Sequence, residues 1–204
     1  WSLWDGKDYK NMSDQDEAKF RMIEYHKWKF KAKIFSPLAP LTVKRTPVLM
    51  TRVEYGFLGS YNKYKKSPFE TFYMGGDGMS GYSSTYATET IGLRGYENGS
   101  IAGNGGYNSY GYAYSRLSME LRYPFLLEPS STIYGLVFVE AGNAWRDLKD
   151  FNPFQLKRSA GVGVRIFLPM IGLMGIDWAY GFDRPDGYDQ RGGSNFHFII
   201  GQEF

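Results

Sequence analysis

The sequence predicts an all-β chain that forms the C-terminal portion of a transmembrane antiparallel β-barrel, with about seven strands. Three observations predict it. Apolar and polar residues alternate with period two over runs of about 10 to 14 residues. The connections between these runs alternate between short and long, as in barrels with tight turns at one rim and loops at the other. The non-lipid face of the runs carries isolated charges beside glycines, as a packed polar lumen does, rather than the variable polar surface of a soluble sandwich.

The composition agrees. Aromatic residues make up 18% of the 204, and there are 25 glycines, which suits strands joined by many turns. There is no cysteine, so disulfides and thiolate metal sites are excluded. The formal charge of +3 is spread along the chain and makes no electrostatic case for nucleic acid. No stretch reaches the roughly 18 apolar residues of a membrane helix. The longest, Ile166 to Ile176, is broken by Pro169 and Gly172. A barrel escapes such a search because only every second residue faces lipid. The chain starts at Trp1 with no initiator Met and no secretory signal, and seven strands fall short of a closed barrel. The expectation is a fragment whose remaining strands precede Trp1.

Residues 1–19 are polar and irregular, an expected external segment. Ser13, followed by Asp14, Gln15 and Asp16, is placed to cap a short helix through about Met22. In the first strand Trp28, Phe30, Ala32 and Ile34 oppose Lys27, Lys29, Lys31 and Lys33. The second, Val48 to Leu58, sets Leu49, Val53, Tyr55 and Phe57 against Met50, Arg52 and Glu54. Residues 59–112 form a long Gly-, Tyr- and Ser-rich segment.

Five more strands follow. Tyr112 to Tyr123 sets Leu117, Met119 and Leu121 against Arg116, Ser118, Glu120 and Arg122. Thr132 to Trp145 sets Val137, Val139 and Ala141 against Phe138, Glu140 and Gly142. Lys157 to Leu168 sets Val162, Val164 and Ile166 against Gly161, Gly163 and Arg165. Ile171 to Phe182 sets Met174, Ile176, Trp178, Tyr180 and Phe182 against Asp177. Asn195 to Phe204 sets Phe196, Phe198 and Ile200 against His197 and Glu203. Three strands end in an aromatic close before proline, at Phe35-Ser36-Pro37, Tyr123-Pro124 and Phe167-Leu168-Pro169. The aromatic suits a membrane interface, and proline is expected to end the ladder.

No enzymatic constellation emerges. Gly76, Gly78 and Gly81 fit G-x-G-x-x-G, but the following Tyr82-Ser83-Ser84-Thr85-Tyr86 is a poor helix, so a loop is expected and not a nucleotide site. Asp183, Asp186 and Asp189 lack calcium-loop spacing, and Pro185-Asp186-Gly187 is a turn signal. His26 and His197 have no partner pattern for a metal or a catalytic dyad. The expected cofactor and metal complement is none, and the chain is not expected to be an enzyme.

Three features in order are more specific. The first is Leu93-Arg94-Gly95-Tyr96, preceded by Pro68-Phe69-Glu70-Thr71-Phe72-Tyr73-Met74-Gly75-Gly76. The second is Phe138-Val139-Glu140-Ala141-Gly142. The third is the terminal Phe196-His197-Phe198-Ile199-Ile200-Gly201-Gln202-Glu203-Phe204. From about Lys19 to Phe204 the chain resembles the BamA family, central barrel subunits of the outer-membrane β-barrel assembly machinery, and the superfamily around it. The resemblance implies a sixteen-stranded barrel, of which this is the C-terminal part. It implies that the external loop 59–112 folds back into the lumen and that its Arg94-Gly95 tip docks on the wall, with Glu120, Phe138 and Glu140 as partners and Gly142 leaving room. Those side chains can do it, because a guanidinium bonds carboxylates through a planar fork and stacks on an aromatic face. Two departures stand out: Glu140 occupies a position where many relatives carry Asp, and residues 77–92 look like an insertion.

The function implied is non-enzymatic insertion of outer-membrane proteins through a weakly paired seam, with Phe196 to Phe204 as one side of it. The implied partners are nascent outer-membrane proteins, periplasmic chaperones, accessory lipoproteins of an assembly complex and the lipid bilayer. The implied location is the bacterial outer membrane, with the C-terminus periplasmic. A secretion pore of the same superfamily, a passive diffusion channel and a soluble β-domain binding a ligand through the Tyr-rich loop are the rival readings.

Overall fold

The computed structural model describes residues 5–13, 17–40, 42–43, 45–78, 89–101, 110–128, 130–170 and 172–201. Seven strands form one antiparallel sheet: β1 (Tyr25–Pro37), β2 (Val48–Ser60), β5 (Ala113–Glu128), β6 (Ser131–Trp145), β7 (Lys157–Leu168), β8 (Gly172–Gly181) and β9 (Gly193–Ile200). Two short strands, β3 (Phe72–Met74) and β4 (Glu89–Ile91), lie in the long segment between β2 and β5. A four-residue helix, α1 (Glu17–Phe20), precedes β1. The main sheet follows chain order, β1-β2-β5-β6-β7-β8-β9, so each long strand pairs with the next. This is the all-β architecture that the alternation predicts. Among the described residues the sheet is open, with β1 and β9 at its edges.

Period-two alternation decides which face each side chain meets, because one register fixes a whole strand. Val139 pairs with Met119 across β5 and β6, and Val164, Ile176 and Phe198 form an apolar row across β7, β8 and β9. These side chains are exposed, as are Trp28, Phe30, Ile34, Val137 and Val162. On the opposite face Arg52, Glu54, Arg116, Glu120, Glu140, Arg165 and Asp177 are buried. A soluble sandwich places apolar residues inside and charges in water. This sheet does the reverse, as the wall of a membrane barrel must.

The charged face is covered by the chain's own long segment. Phe72, Met74, Ile91, Leu93, Tyr96 and Ile101 pack with Leu58, Tyr112, Tyr114 and Ala144 into a buried apolar cluster. Phe72 meets Tyr114 edge-on at 4.6 Å between ring centroids. β3 and β4 pair in parallel, Phe72 with Glu89 through Met74 with Ile91. Three-residue strands are too short to register as alternation, so the sequence did not reveal them. Residues 79–88, most of the insertion, lie outside the described residues.

The structure corrects one sequence expectation. β5 does not stop at Pro124 but continues to Glu128, so most of the stretch between the expected strands Tyr112 to Tyr123 and Thr132 to Trp145 is itself strand. Pro124 pairs with Tyr134 and the register slips before Leu126. A bulge is a place where a strand tolerates a residue without an N–H. Pro37 and Pro169 do stand at strand ends, as expected. The described part of β9 ends at Ile200 and Gly201, whose φ is +74° and whose N–H donates to the Leu173 carbonyl at 2.7 Å. Phe204 lies outside the described residues.

Candidate functional site

The site begins with a backbone clip. Gly76 and Leu93 exchange both N–H···O=C bonds, each 3.1 Å, which brings Leu93 onto the covered face and Arg94 next to the sheet. Gly95 then turns the chain at φ +87°. An added Cβ there would stand 2.9 Å from the Gly181 nitrogen and 2.9 Å from Ser159 Cβ. Both the left-handed turn and the close approach therefore call for glycine.

Arg94 has 0% exposure. Its Nη2 donates to Glu120 Oε1 at 2.5 Å and to Glu140 Oε1 at 2.8 Å, and its Nη1 donates to Asp177 Oδ2 at 2.9 Å. Its backbone N–H donates to Glu140 Oε2 at 2.9 Å, so both oxygens of Glu140 hold the tip. The longer Glu arm serves backbone and side chain together. The guanidinium carbon stands 3.5 Å from the Phe138 ring centroid. For a cation removed from water, such stacking contributes about 2 kcal/mol.

Each carboxylate also has a wall arginine. Arg116 Nη2 donates to Glu140 at 2.8 Å, Arg122 to Glu120 at 2.7 and 2.9 Å, and Arg165 to Asp177 at 2.5 and 2.7 Å. Ser118 Oγ adds a bond to Glu140 at 3.1 Å. The wall thus presents three paired carboxylates whose remaining lone pairs meet the loop arginine. Placing a fourth cation among three buried acids is favourable where an isolated buried arginine is not.

Tyr96 anchors the far side of the tip. Its hydroxyl donates to the Arg158 carbonyl at 2.6 Å and accepts from the Asp183 N–H at 3.3 Å. Burial pushes that hydroxyl up to about 12, so it stays a donor at neutral pH. Gly95 N–H donates to His197 Nε2 on β9 at 2.9 Å.

Of the residues singled out in the sequence, Arg94, Glu120, Phe138 and Glu140 come together. Leu93, Gly95 and Tyr96 frame the tip. Gly142 sits under it: an added Cβ would meet Met74 Cε at 2.4 Å and Leu93 Cδ1 at 3.2 Å. Phe196, Phe198 and Ile200 point away, on the exposed face of β9. Asp177, His197, Arg116, Arg122 and Arg165 were not expected in the site. Asp177 had a signal, a single acid in the apolar run Met174 to Phe182. Pairing it with Arg165 needs the β7–β8 register, in which Arg165 sits opposite Gly175, two residues along from Asp177.

The Omp85 superfamily domain matches this chain over residues 19–204. The chain belongs to the Omp85 superfamily. Among solved structures the Omp85 chain is similar to the crystal structure of BamA from Haemophilus ducreyi lacking POTRA domains 1-3, with a TM-score of 0.59 and 21% identity. The match covers 86% of this chain and 35% of that one, so the chain spans about a third of the length of the structure it resembles. At this identity the likeness speaks for the fold: the Omp85 sheet is a portion of an outer-membrane barrel wall. No curated protein matches. The exposed apolar face of the Omp85 sheet is therefore its lipid side, and the opposite face, covered by residues 72–76 and 89–101, is its lumen side.

Proposed function

We propose that this chain is the C-terminal part of the barrel of a non-enzymatic outer-membrane insertase. It folds and inserts other β-barrels by lending them a strand edge. The observation that carries the proposal is the combination of an Omp85 wall and a loop tip docked on it through Arg94. A nascent barrel in lipid has backbone N–H and C=O groups that hydrocarbon cannot satisfy. A strand edge offers those groups partners, and strand addition supplies affinity through main-chain bonds.

In this proposal residues 1–19 and the base of the 59–112 loop lie on the external side, and the C-terminus is periplasmic. Nascent outer-membrane proteins are the clients, delivered by periplasmic chaperones and aided by accessory lipoproteins. The buried segment over the lumen face favours this reading over an open diffusion channel, which needs a clear bore.

The test uses the full-length protein. A cysteine at Ile200 is paired by disulfide with one on the first strand of the barrel, locking the seam. Client insertion into liposomes is expected to stop when the bond forms and to return on reduction. Full insertion by the locked form would remove the seam mechanism.

A further inference from the structure

We propose that His197 is a positioning residue that ties the loop tip to the terminal strand, and that it does so only while its imidazole is neutral. The geometry makes this specific. His197 is buried on the lumen face of β9, between Phe196 and Phe198 on the lipid face. Its Nε2 accepts the Gly95 N–H at 2.9 Å. An imidazole nitrogen that accepts carries no proton, so the ring proton is on Nδ1. The other contacts of the tip reach Glu120 on β5, Glu140 on β6, Arg158 on β7 and Asp177 on β8. The His197 bond extends this hold to β9.

Protonation inverts the contact. Nε2 becomes a donor and faces the Gly95 N–H, donor against donor. The charged and titratable groups that face the ring are Arg94 on the tip, Asp77 on the folded-back segment, Asp177 on β8 and Glu140 on β6. Arg94 repels an imidazolium. The carboxylates attract it, but Asp177 and Glu140 already hold Arg94. A protonated His197 therefore competes with Arg94 for its own partners, and Asp177 lies directly across the ladder from it. The link holds above the imidazole pKa and is lost below it. Acid then loosens the loop from the strand that serves as the seam in the proposed function. The link itself is a matter of geometry; only its effect on assembly rests on that reading.

Hydrogen exchange on peptides carrying Gly95, measured on the full-length protein in lipid nanodiscs and corrected for intrinsic rate, tests the link. Between pH 7.5 and pH 5 the wild-type protection should fall on the order of tenfold, the population change for one lost buried hydrogen bond. His197→Gln keeps an acceptor without titrating, so its protection should stay high and flat. His197→Met neither accepts nor titrates, so its protection should be low at both pH values. A flat wild-type response, a His197→Gln response equal to wild type, or full protection in His197→Met would overturn the proposal. Client insertion is measured at the same two pH values. A drop that His197→Gln abolishes supports the role at the seam. An exchange response without any change in insertion leaves the link standing and counts against the seam reading.

Discussion

At the scale of single residues, the Arg94 contacts are unequal. Removing Arg94 leaves Glu120, Glu140 and Asp177 each with a wall arginine. Removing Glu140 deprives Arg94 of two bonds, and strips Arg116 of its 2.8 Å partner, leaving Glu54 at 3.8 Å. Arg94→Ala should therefore undock the loop at a loss of about 1–3 kcal/mol, while the barrel stays folded. Glu140→Ala should cost more, about 3–5 kcal/mol, because it removes the acid that two buried arginines share. The double variant should fall below Arg94→Ala, since Arg116 loses Glu140 whether or not the loop is docked. Urea unfolding in detergent micelles, followed by gel mobility, would rank them; Arg94→Ala as the worse single variant would contradict this order. Gly95→Ala should also undock the tip, through strain at φ +87° and contact with the Gly181 backbone. Its signature is faster proteolysis within the loop while the strands remain protected.

At the scale of elements, each strand carries two faces with opposite rules. Ile176 lies in mid-β8 with half of its surface exposed to lipid, and Phe182 lies just past the end of the same strand. Ile176→Arg should cost about 2–4 kcal/mol, and Phe182→Arg about 0–1 kcal/mol, because the penalty falls from the bilayer midplane toward the interface. Equal losses at the two depths would contradict the lipid-facing assignment. The lumen glycines are not neutral sites either. An added Cβ at Gly175 would stand 2.6 Å from Arg165 Cδ, so a side chain there would disturb the Asp177–Arg165 pair that receives the loop. Among these glycines, Gly175 leaves the space in which Arg165 lies, and Gly163 the space for the Asp177 carboxylate.

For the whole molecule, the described sheet has two edge strands and one apolar face. Neither is compatible with water when so much apolar surface is contiguous. These 204 residues produced alone should associate in buffer and become dispersed only with detergent, whereas the full-length barrel in detergent should be monomeric. Light scattering that found a stable monomer in plain buffer would contradict the membrane reading. The long segment acts at this scale as well. By crossing from β2 to a tip that touches β5, β6, β7, β8 and β9, it joins strands that are otherwise linked only to their neighbours. A change at its tip can therefore reach the terminal strand without passing through the ladder.

The sequence by itself determined the strands and their faces. Period two is a local property, and Lys157 to Leu168 or Val48 to Leu58 carries it without reference to any other part of the chain. It also determined that the lumen face would hold charge, whereas Arg94, Glu120, Phe138 and Glu140 were singled out together only through the family resemblance. Only the tertiary structure decided the rest. Asp177, Arg165 and Arg116 enter the site through register, which joins residues far apart in the chain. His197 read as a lone histidine without a partner, because its partner is a backbone N–H, and every residue but proline has one. The passage of β5 through Pro124 also depended on its neighbour: Tyr134 on β6 accommodates the slip, and proline viewed alone signals an end. Local patterns thus set which way each side chain faces, and the packing of distant segments set what it meets there.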